Sequence, residues 1–354
     1  MVKNIQALRG IAVMLVLLSH LTVIEQKYFS GNHLLPEFLS IGISGVDIFF
    51  VISGFVMVSV TRGWHSKVRL SALFLYNRLS RIFPMYWFYS VIVLGVFWLQ
   101  PTLVNSAQGN QIRIWESFLL LPLPQGTYPL LGVGWSLIHE MYFYLVFAVL
   151  LLFPQRFLNV TLCLWAVAVP LFFASQWGAR VPLVQLVTHP LTCEFIAGCW
   201  IGLAATRSVL RYAKSALWLA LAWWVVAYAI FATHIGWGMA PVDWRRLPVF
   251  GIPAALLCYG LVAVERAGSL LPAWLRSIGD SSYSIYLSHV LVISALGRLW
   301  GVLKVGSNEL NGLALVCVFL CALIAGHISY RMLELPLHNR TRRQSIGLNV
   351  KPVT

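Results

Sequence analysis

Ile5-Gln-Ala-Leu-Arg-Gly-Ile-Ala-Val-Met-Leu-Val-Leu-Leu-Ser-His-Leu-Thr-Val-Ile24 decides how this chain must fold. A helix needs about 20 mostly apolar residues to cross the hydrocarbon of a bilayer, and this run is interrupted only by Arg9 and His20 among ionisable groups. Nine more runs of the same kind follow, at 41–60, 82–100, 131–153, 158–175, 184–205, 215–235, 247–264, 283–303 and 311–332. The expectation is an all-α polytopic membrane protein, a bundle of about ten transmembrane helices embedded in a lipid bilayer. Composition agrees, because 59 % of the 354 residues are hydrophobic and only 10 % are charged. A soluble domain carries about 25 % charged residues, so this chain lacks the polar atoms to coat a water-facing surface. Disordered chains are poor in apolar residues and are excluded for the same reason. The first run has no small-residue cleavage site after it and is followed by nine more spans, so it reads as a retained helix rather than a signal peptide.

An even number of spans puts both termini on one side, and the Lys/Arg bias says which. The termini share their side with Lys3, Arg9, the group from Arg62 to Arg81, Arg156, the group from Arg207 to Lys214, Arg266, Arg276 and the basic C-terminal end. That side holds 18 of the 25 basic residues and the opposite side 6. Both termini are therefore expected in the cytoplasm. The net charge of +14 is largely accounted for by this topology and calls for no nucleic-acid partner. The loops are short. The longest, 101–130, is rich in Pro, Gly and Leu and is expected to re-enter the membrane or to cap a cavity. The chain reads as one integral-membrane domain over 1–336 and a short basic tail over 337–354. The six cysteines lie inside apolar stretches with no His or Cys at zinc-ligand spacing, so no metal site is expected.

A charged side chain at mid-bilayer costs at least about 2.5–3.5 kcal/mol, which makes each one a functional candidate. Arg9 and His20 are eleven residues apart, close to three full turns, so they share one face of the first helix about 16 Å apart along its axis. His20 then falls about 6 Å from the outer end of its span and Asp47 about 9 Å below the outer end of the next. A carboxylate beside an imidazole fixes its tautomer and stabilises the imidazolium, which is what a general base needs. An isolated His20 would read equally well as an interfacial side chain satisfied by water; Asp47 at matching depth favours the catalytic reading.

Arg78 and Arg81 stand i, i+3 in Tyr76-Asn-Arg-Leu-Ser-Arg-Ile-Phe-Pro84. They project the same way from one helical turn and could fork a phosphate, or simply anchor the cytoplasmic end of a span, as Arg9 could. Glu140 closes Gly132-Val-Gly-Trp-Ser-Leu-Ile-His-Glu140, with Ser136 one turn before it. A carboxylate at that depth must protonate or find a cation. Glu194 lies near the middle of the sixth span with no partner legible in the sequence. His289 ends Ser281-Ser-Tyr-Ser-Ile-Tyr-Leu-Ser-His289, with Tyr286 on its face; the run suits interhelical hydrogen bonding or the lining of a polar tunnel. Together these groups form a trail from cytoplasmic arginines to an outer His–Asp pair, suited to a reactant whose charged end stays in the cytoplasm.

These blocks resemble the membrane-bound acyltransferase 3 family, which includes O-antigen and exopolysaccharide O-acetyltransferases. The resemblance is carried by Arg9-x10-His20, by Gly45-Val-Asp-Ile-Phe-Phe-Val-Ile-Ser-Gly-Phe55, and by Arg78-x-x-Arg81 running into Pro84-Met-Tyr-Trp87. It continues in Trp135-Ser-Leu-x-x-Glu140 and Ser282-Tyr-Ser-Ile-Tyr-Leu-x-His289, and it extends from residue 5 to Glu334-Leu-Pro336. It implies a ten-helix bundle in the bacterial inner (cytoplasmic) membrane. The implied reaction passes an acyl group, most simply acetyl, from cytoplasmic acyl-CoA to a hydroxyl of a saccharide or lipid-linked saccharide. No permanently bound cofactor is implied; acetyl-CoA is the donor substrate. The resemblance further implies that His20 is the catalytic base, that Arg9 is required, and that Arg78 and Arg81 engage the CoA phosphates. Asp47 and Glu140 complete the expected catalytic set, with Trp135, Ser136, Tyr286 and His289 lining the path of the substrates. Family members with a C-terminal SGNH-type esterase domain hand the acyl group to it. None follows within these 354 residues, so the expectation is direct transfer or a separate acceptor protein.

The competing class is a transporter or flippase for an envelope glycan precursor, since ten spans divide as five plus five in the manner of inverted-repeat carriers. Against it, Asp47 has no counterpart in the seventh span, and no matched pair of broken helices is visible.

Overall fold

The computed structural model describes residues 2–30, 33–104, 111–178, 180–207, 210–231 and 243–347, and within them it is helical, with no strand. Ten apolar helices carry the architecture: α1 Lys3–Tyr28, α2 Gly45–Val60, α3 Val68–Leu99, α4 Gly134–Leu150, α5 Leu158–Ala174, α6 Leu191–Arg207, α7 Ala213–Phe231, α8 Ile252–Arg266, α9 Ser282–Leu303 and α10 Asn308–Ser329. Eight helical segments among the described residues are long and apolar enough to cross a membrane; α4 and α7 are the shorter apolar helices. This is an all-α, multi-pass membrane protein. Residues 232–235 of the expected seventh span, and 348–354 of the expected tail, lie outside the described residues.

Two compact units make up the chain. The first comprises Met1–Ile52, Val209–Met239 and Pro248–Glu334. Its centre is α1, which buries Ile5, Leu8, Ala12, Val13, Val16, Leu17 and Leu21, the all-round burial of a helix enclosed by others. Leu17, Leu21 and Ile24 meet Ile293 of α9 and Leu315, Val318 and Ala322 of α10 in one cluster. In lipid such contacts gain little from leaving water, so close packing holds the helices together. The clearest case is the crossing of α1 with the short helix Ala273–Asp280. A Cβ on Gly279 would overlap the carbonyl oxygen of Gln6, and one on Gly10 the carbonyl oxygen of Leu275. We expect Gly279→Val to lower the thermal midpoint sharply, by the ~1–3 kcal/mol of an overpacked core or more. A midpoint within a degree of wild type would show that the crossing can open without loss.

The second unit comprises Ser53–Ser208, Ala240–Leu247 and Leu335–Thr354. Aromatic rings fill it: Phe143 stacks on Phe195 at 4.8 Å, and Phe74 meets Phe147 at 5.6 Å. Gly54 of α2 lets the carbonyl of Phe195 in α6 approach. The outer faces are apolar too. Leu164, Val167 and Leu171 of α5 are all more than half exposed, a lipid-facing stripe rather than a docking patch in a helix of this composition.

Two boundaries differ from those read off hydropathy. Helix α1 runs on to Tyr28 rather than stopping at 24, because the buried carboxylate of Glu25 is satisfied by the backbone N–H groups of Leu34 (2.6 Å) and Leu35 (3.1 Å). Helix α3 starts at Val68 rather than 82 and passes through Pro84 without ending; its 32 residues span about 48 Å, so its first turns carry Arg78 and Arg81 on a continuous helix.

Within 101–130 the described residues fold back on α3. Ser117 O accepts from Tyr86 OH at 2.7 Å and Phe118 O from the Trp87 indole at 2.9 Å. Ser117 Oγ accepts from Leu130 N at 2.9 Å, and Ile112 pairs with Tyr128 in an isolated bridge. Residues 105–110 of this loop lie outside the described residues.

Candidate functional site

In the first unit the structure sets His20 against a second histidine. The rings of His20 on α1 and His289 on α9 meet edge to face with centroids 4.9 Å apart. Each Nδ1 lies on the carbonyl of the residue one turn back on its own helix: Val16 O at 2.9 Å for His20 and Ile285 O at 3.1 Å for His289. A carbonyl can only accept, so in the neutral rings both Nδ1 atoms carry the proton and both Nε2 atoms hold a lone pair. His289 Nε2 is buried with no hydrogen-bond partner among the described residues. Tyr286 lies 5.8 Å from His289 and meets Phe49 of α2 at 6.0 Å, ring centre to ring centre.

The tautomer-fixing oxygen at His20 Nδ1 is thus Val16 O, in the role the sequence reading gave to Asp47. Asp47 itself is wholly buried in the first turn of α2. The extension of α1 to Tyr28 also puts His20 about 12 Å from that end of its helix, not about 6 Å. Arg9 is half-buried on α1 and, eleven residues from His20, shares a face of that helix with it.

The second unit gathers Glu140, Tyr144, Ser53 and Arg78. Tyr144 OH and Ser53 Oγ both donate to Glu140 Oε1, the latter at 3.3 Å. The Arg78 guanidinium carbon lies 5.7 Å from the centres of the Phe74 and Tyr144 rings. Glu140 has therefore found its cation at one remove, across the phenol ring that also bonds it. Arg78 Nε is buried without a hydrogen bond among the described residues, a donor still available to an anion. Arg81, one turn on along α3, is half-buried. Ser136 Oγ donates to Val133 O at 3.1 Å, and Glu194 is fully buried in the first turn of α6.

Sequence reasoning passed over three residues of the second unit. His139 and His189 bring their rings to 4.4 Å, and Arg246 lies 6.0 Å from the ring of Trp135. No motif or spacing joins them; the fold alone does. Close by, partial burial pushes the Asp243 carboxyl up, but the two-pronged grip of Arg245, with Nη2 at 2.9 Å from Oδ2, outweighs it and holds the group below its ordinary value. No group of three or more His, Cys, Asp or Glu able to hold a metal occurs among the described residues.

Comparison with known proteins bears on this geometry. The profile of the acyltransferase 3 family, described as an acyltransferase domain, matches residues 2–331. The chain is 32 % identical over 338 residues to the exopolysaccharide production protein ExoZ of Rhizobium meliloti strain 1021, covering 90 % of this chain and 96 % of that protein. It is 25 % identical over 396 residues to the acyltransferase MdmB of Streptomyces mycarofaciens, covering 99 % and 95 % of the two chains. It is also 25 % identical over 370 residues to the peptidoglycan O-acetyltransferase OatA of Listeria monocytogenes, covering 95 % of this chain and 56 % of that one. No solved structure matches it significantly.

Proposed function

Because the chain belongs to the acyltransferase 3 family, we propose that it transfers an acetyl group from cytoplasmic acetyl-CoA to a hydroxyl of a cell-envelope or exported saccharide, at the bacterial inner membrane. Two relatives, one an exopolysaccharide production protein and one a peptidoglycan O-acetyltransferase, support a saccharide acceptor and an acetyl group. The observation that carries the chemistry is the tautomer of His20. With Nδ1–H held on Val16 O, its Nε2 is the basic nitrogen. Nε2 takes the proton of the acceptor hydroxyl as that oxygen attacks the thioester carbonyl. The C–S bond then breaks, and the CoA thiolate leaves with the proton from the imidazolium.

His289 stands edge-on to this ring and positions it. Asp47 balances the charge that His20 acquires. Arg78 and Arg81 hold the phosphates of CoA, and the unused Nε of Arg78 supports that assignment. Glu140, fixed by Tyr144 and Ser53, keeps the Arg78 region in place or orients the sugar beside Ser136.

The test uses purified protein in nanodiscs with [14C]acetyl-CoA and a crude envelope glycan fraction. Label on glycan is the expected result. Label on neither glycan nor protein, with no thermal stabilisation by acetyl-CoA, would return the transporter reading to first place. In the same assay Asp47→Asn is expected to lower kcat roughly tenfold, since losing a charge partner is worth about 1–2 kcal/mol. A wild-type kcat in that variant would remove Asp47 from the mechanism.

A further inference from the structure

The chain holds a second histidine pair that the reaction above does not use. His139 on α4 and His189, just before α6, bring their ring centroids to 4.4 Å at an interplanar angle of 52°. Trp135, one turn before His139, meets it edge to face at 6.0 Å. The guanidinium carbon of Arg246 lies 6.0 Å from the centre of the Trp135 ring. All four residues belong to the same unit, although they come from stretches of chain around 135, 189 and 246.

The chemistry of the cluster selects a ligand. The Arg246 guanidinium disfavours a metal cation, and no third His, Cys, Asp or Glu completes a ligand set with the two imidazoles among the described residues. An anion fits instead. His189 Nδ1 accepts from Leu191 N at 3.3 Å, so the proton of the neutral ring sits on Nε2 and makes it a donor. Asp243, three residues before Arg246, is gripped by Arg245 through Nε at 3.0 Å and Nη2 at 2.9 Å. Trp135, His189 and Arg246 are each partly exposed, while His139 is buried behind them. The Arg246 guanidinium lies over the Trp135 ring, and an aromatic ring paired with a cation suits a sugar that also carries an acidic group. The Lys/Arg bias assigns Arg245 and Arg246 to the side of the membrane away from the cytoplasm, where an exported saccharide resides.

We propose that Trp135, His139, His189 and Arg246 form an acceptor subsite for an acidic saccharide, binding it through a carboxylate or phosphate group. The assignment of the ligand as acceptor rests on the acyltransferase reading given above; the anion site itself does not.

The experiment measures binding to the full-length protein in nanodiscs, without acyl-CoA, by tryptophan fluorescence or calorimetry. The probes are a glucuronate-containing tetrasaccharide, a neutral glucose tetrasaccharide and glucose 1-phosphate. At least one acidic probe is expected to bind about tenfold or more tighter than the neutral one, and less tightly as salt rises. A stronger response to glucuronate assigns a carboxylate, and a stronger response to glucose 1-phosphate assigns a phosphate. Arg246→Gln should remove the preference and Arg246→Lys should keep part of it. His189→Gln provides a second reading should Arg246→Gln fail to fold. Equal binding of neutral and acidic probes, or a preference intact in both Gln variants, overturns the subsite. Transfer assays on the same glycans separate the two readings. Acetylation of neutral and acidic glycans at equal rates, unaltered by Arg246→Gln, overturns the subsite and leaves the transferase standing. Acid-selective binding with no transfer to any glycan upholds the anion site and overturns its role as an acceptor subsite.

Discussion

His20→Ala is expected to lower kcat for acetyl transfer by about 10²–10⁴, the contribution of a positioned general base, while the KM for acetyl-CoA stays near wild type. The reason is local. His20 Nδ1 is committed to Val16 O, so removing the ring deletes the one basic nitrogen it offers and little of the helix, whose other buried residues remain in place. The protein should therefore still insert, purify and be stabilised by acetyl-CoA. His20→Gln is the sharper variant, because an amide can keep a hydrogen bond to Val16 O and yet cannot accept the hydroxyl proton. A parallel His289→Gln variant separates base from positioning residue. It should lower kcat less and shift the pH profile of kcat, since no imidazole then stands against His20. A kcat in His20→Gln within a few-fold of wild type would end the general-base assignment.

Arg78→Gln should act on the other kinetic constant. Loss of a charge-assisted hydrogen bond to phosphate is worth about 1.5–3 kcal/mol, which raises the KM for acetyl-CoA roughly 10- to 100-fold with kcat little changed. The alternative is that Arg78 serves only as a cation packed on Phe74 and Tyr144, compensating Glu140. Comparison of acetyl-CoA with acetyl-pantetheine distinguishes the two. If Arg78 binds phosphate, the variant loses affinity for acetyl-CoA and leaves acetyl-pantetheine untouched. Equal losses on both donors, together with a lower thermal midpoint, would make Arg78 a structural partner of Glu140.

The apolar runs were legible because membrane insertion imposes a composition on about 20 consecutive residues, and eight helical segments among the described residues are long and apolar enough to cross a membrane. Their ends were less so. Hydropathy stops at Glu25 and Lys27, whereas the helix continues once Leu34 N and Leu35 N satisfy the carboxylate. It also stops at Arg81, whereas α3 already runs from Val68, since a cationic helix outside the hydrocarbon is not apolar. The site was legible residue by residue but not pair by pair. Arg9-x10-His20 and Arg78-x-x-Arg81 each lie on one helix, where spacing sets direction. The meeting of His20 with His289 joins residues 269 positions apart, and depth alone could not choose between that ring and Asp47. His139, His189 and Arg246 had no mark at all before folding brought them together.

The glycine crossing of α1 with Ala273–Asp280 bears on how the chain is made. Helix α1 carries Arg9 and His20, and the backbone it packs against so closely is made about 270 residues later in the chain. Elongation at roughly 5–20 residues per second leaves α1 waiting for about a quarter of a minute to a minute before that partner exists. During the wait its two polar side chains and its glycine-lined face must be tolerated by lipid, by the insertion machinery or by neighbouring helices already in place. Synthesis that stalls before residue 280 would leave this face without its helix, a ready target for membrane quality control.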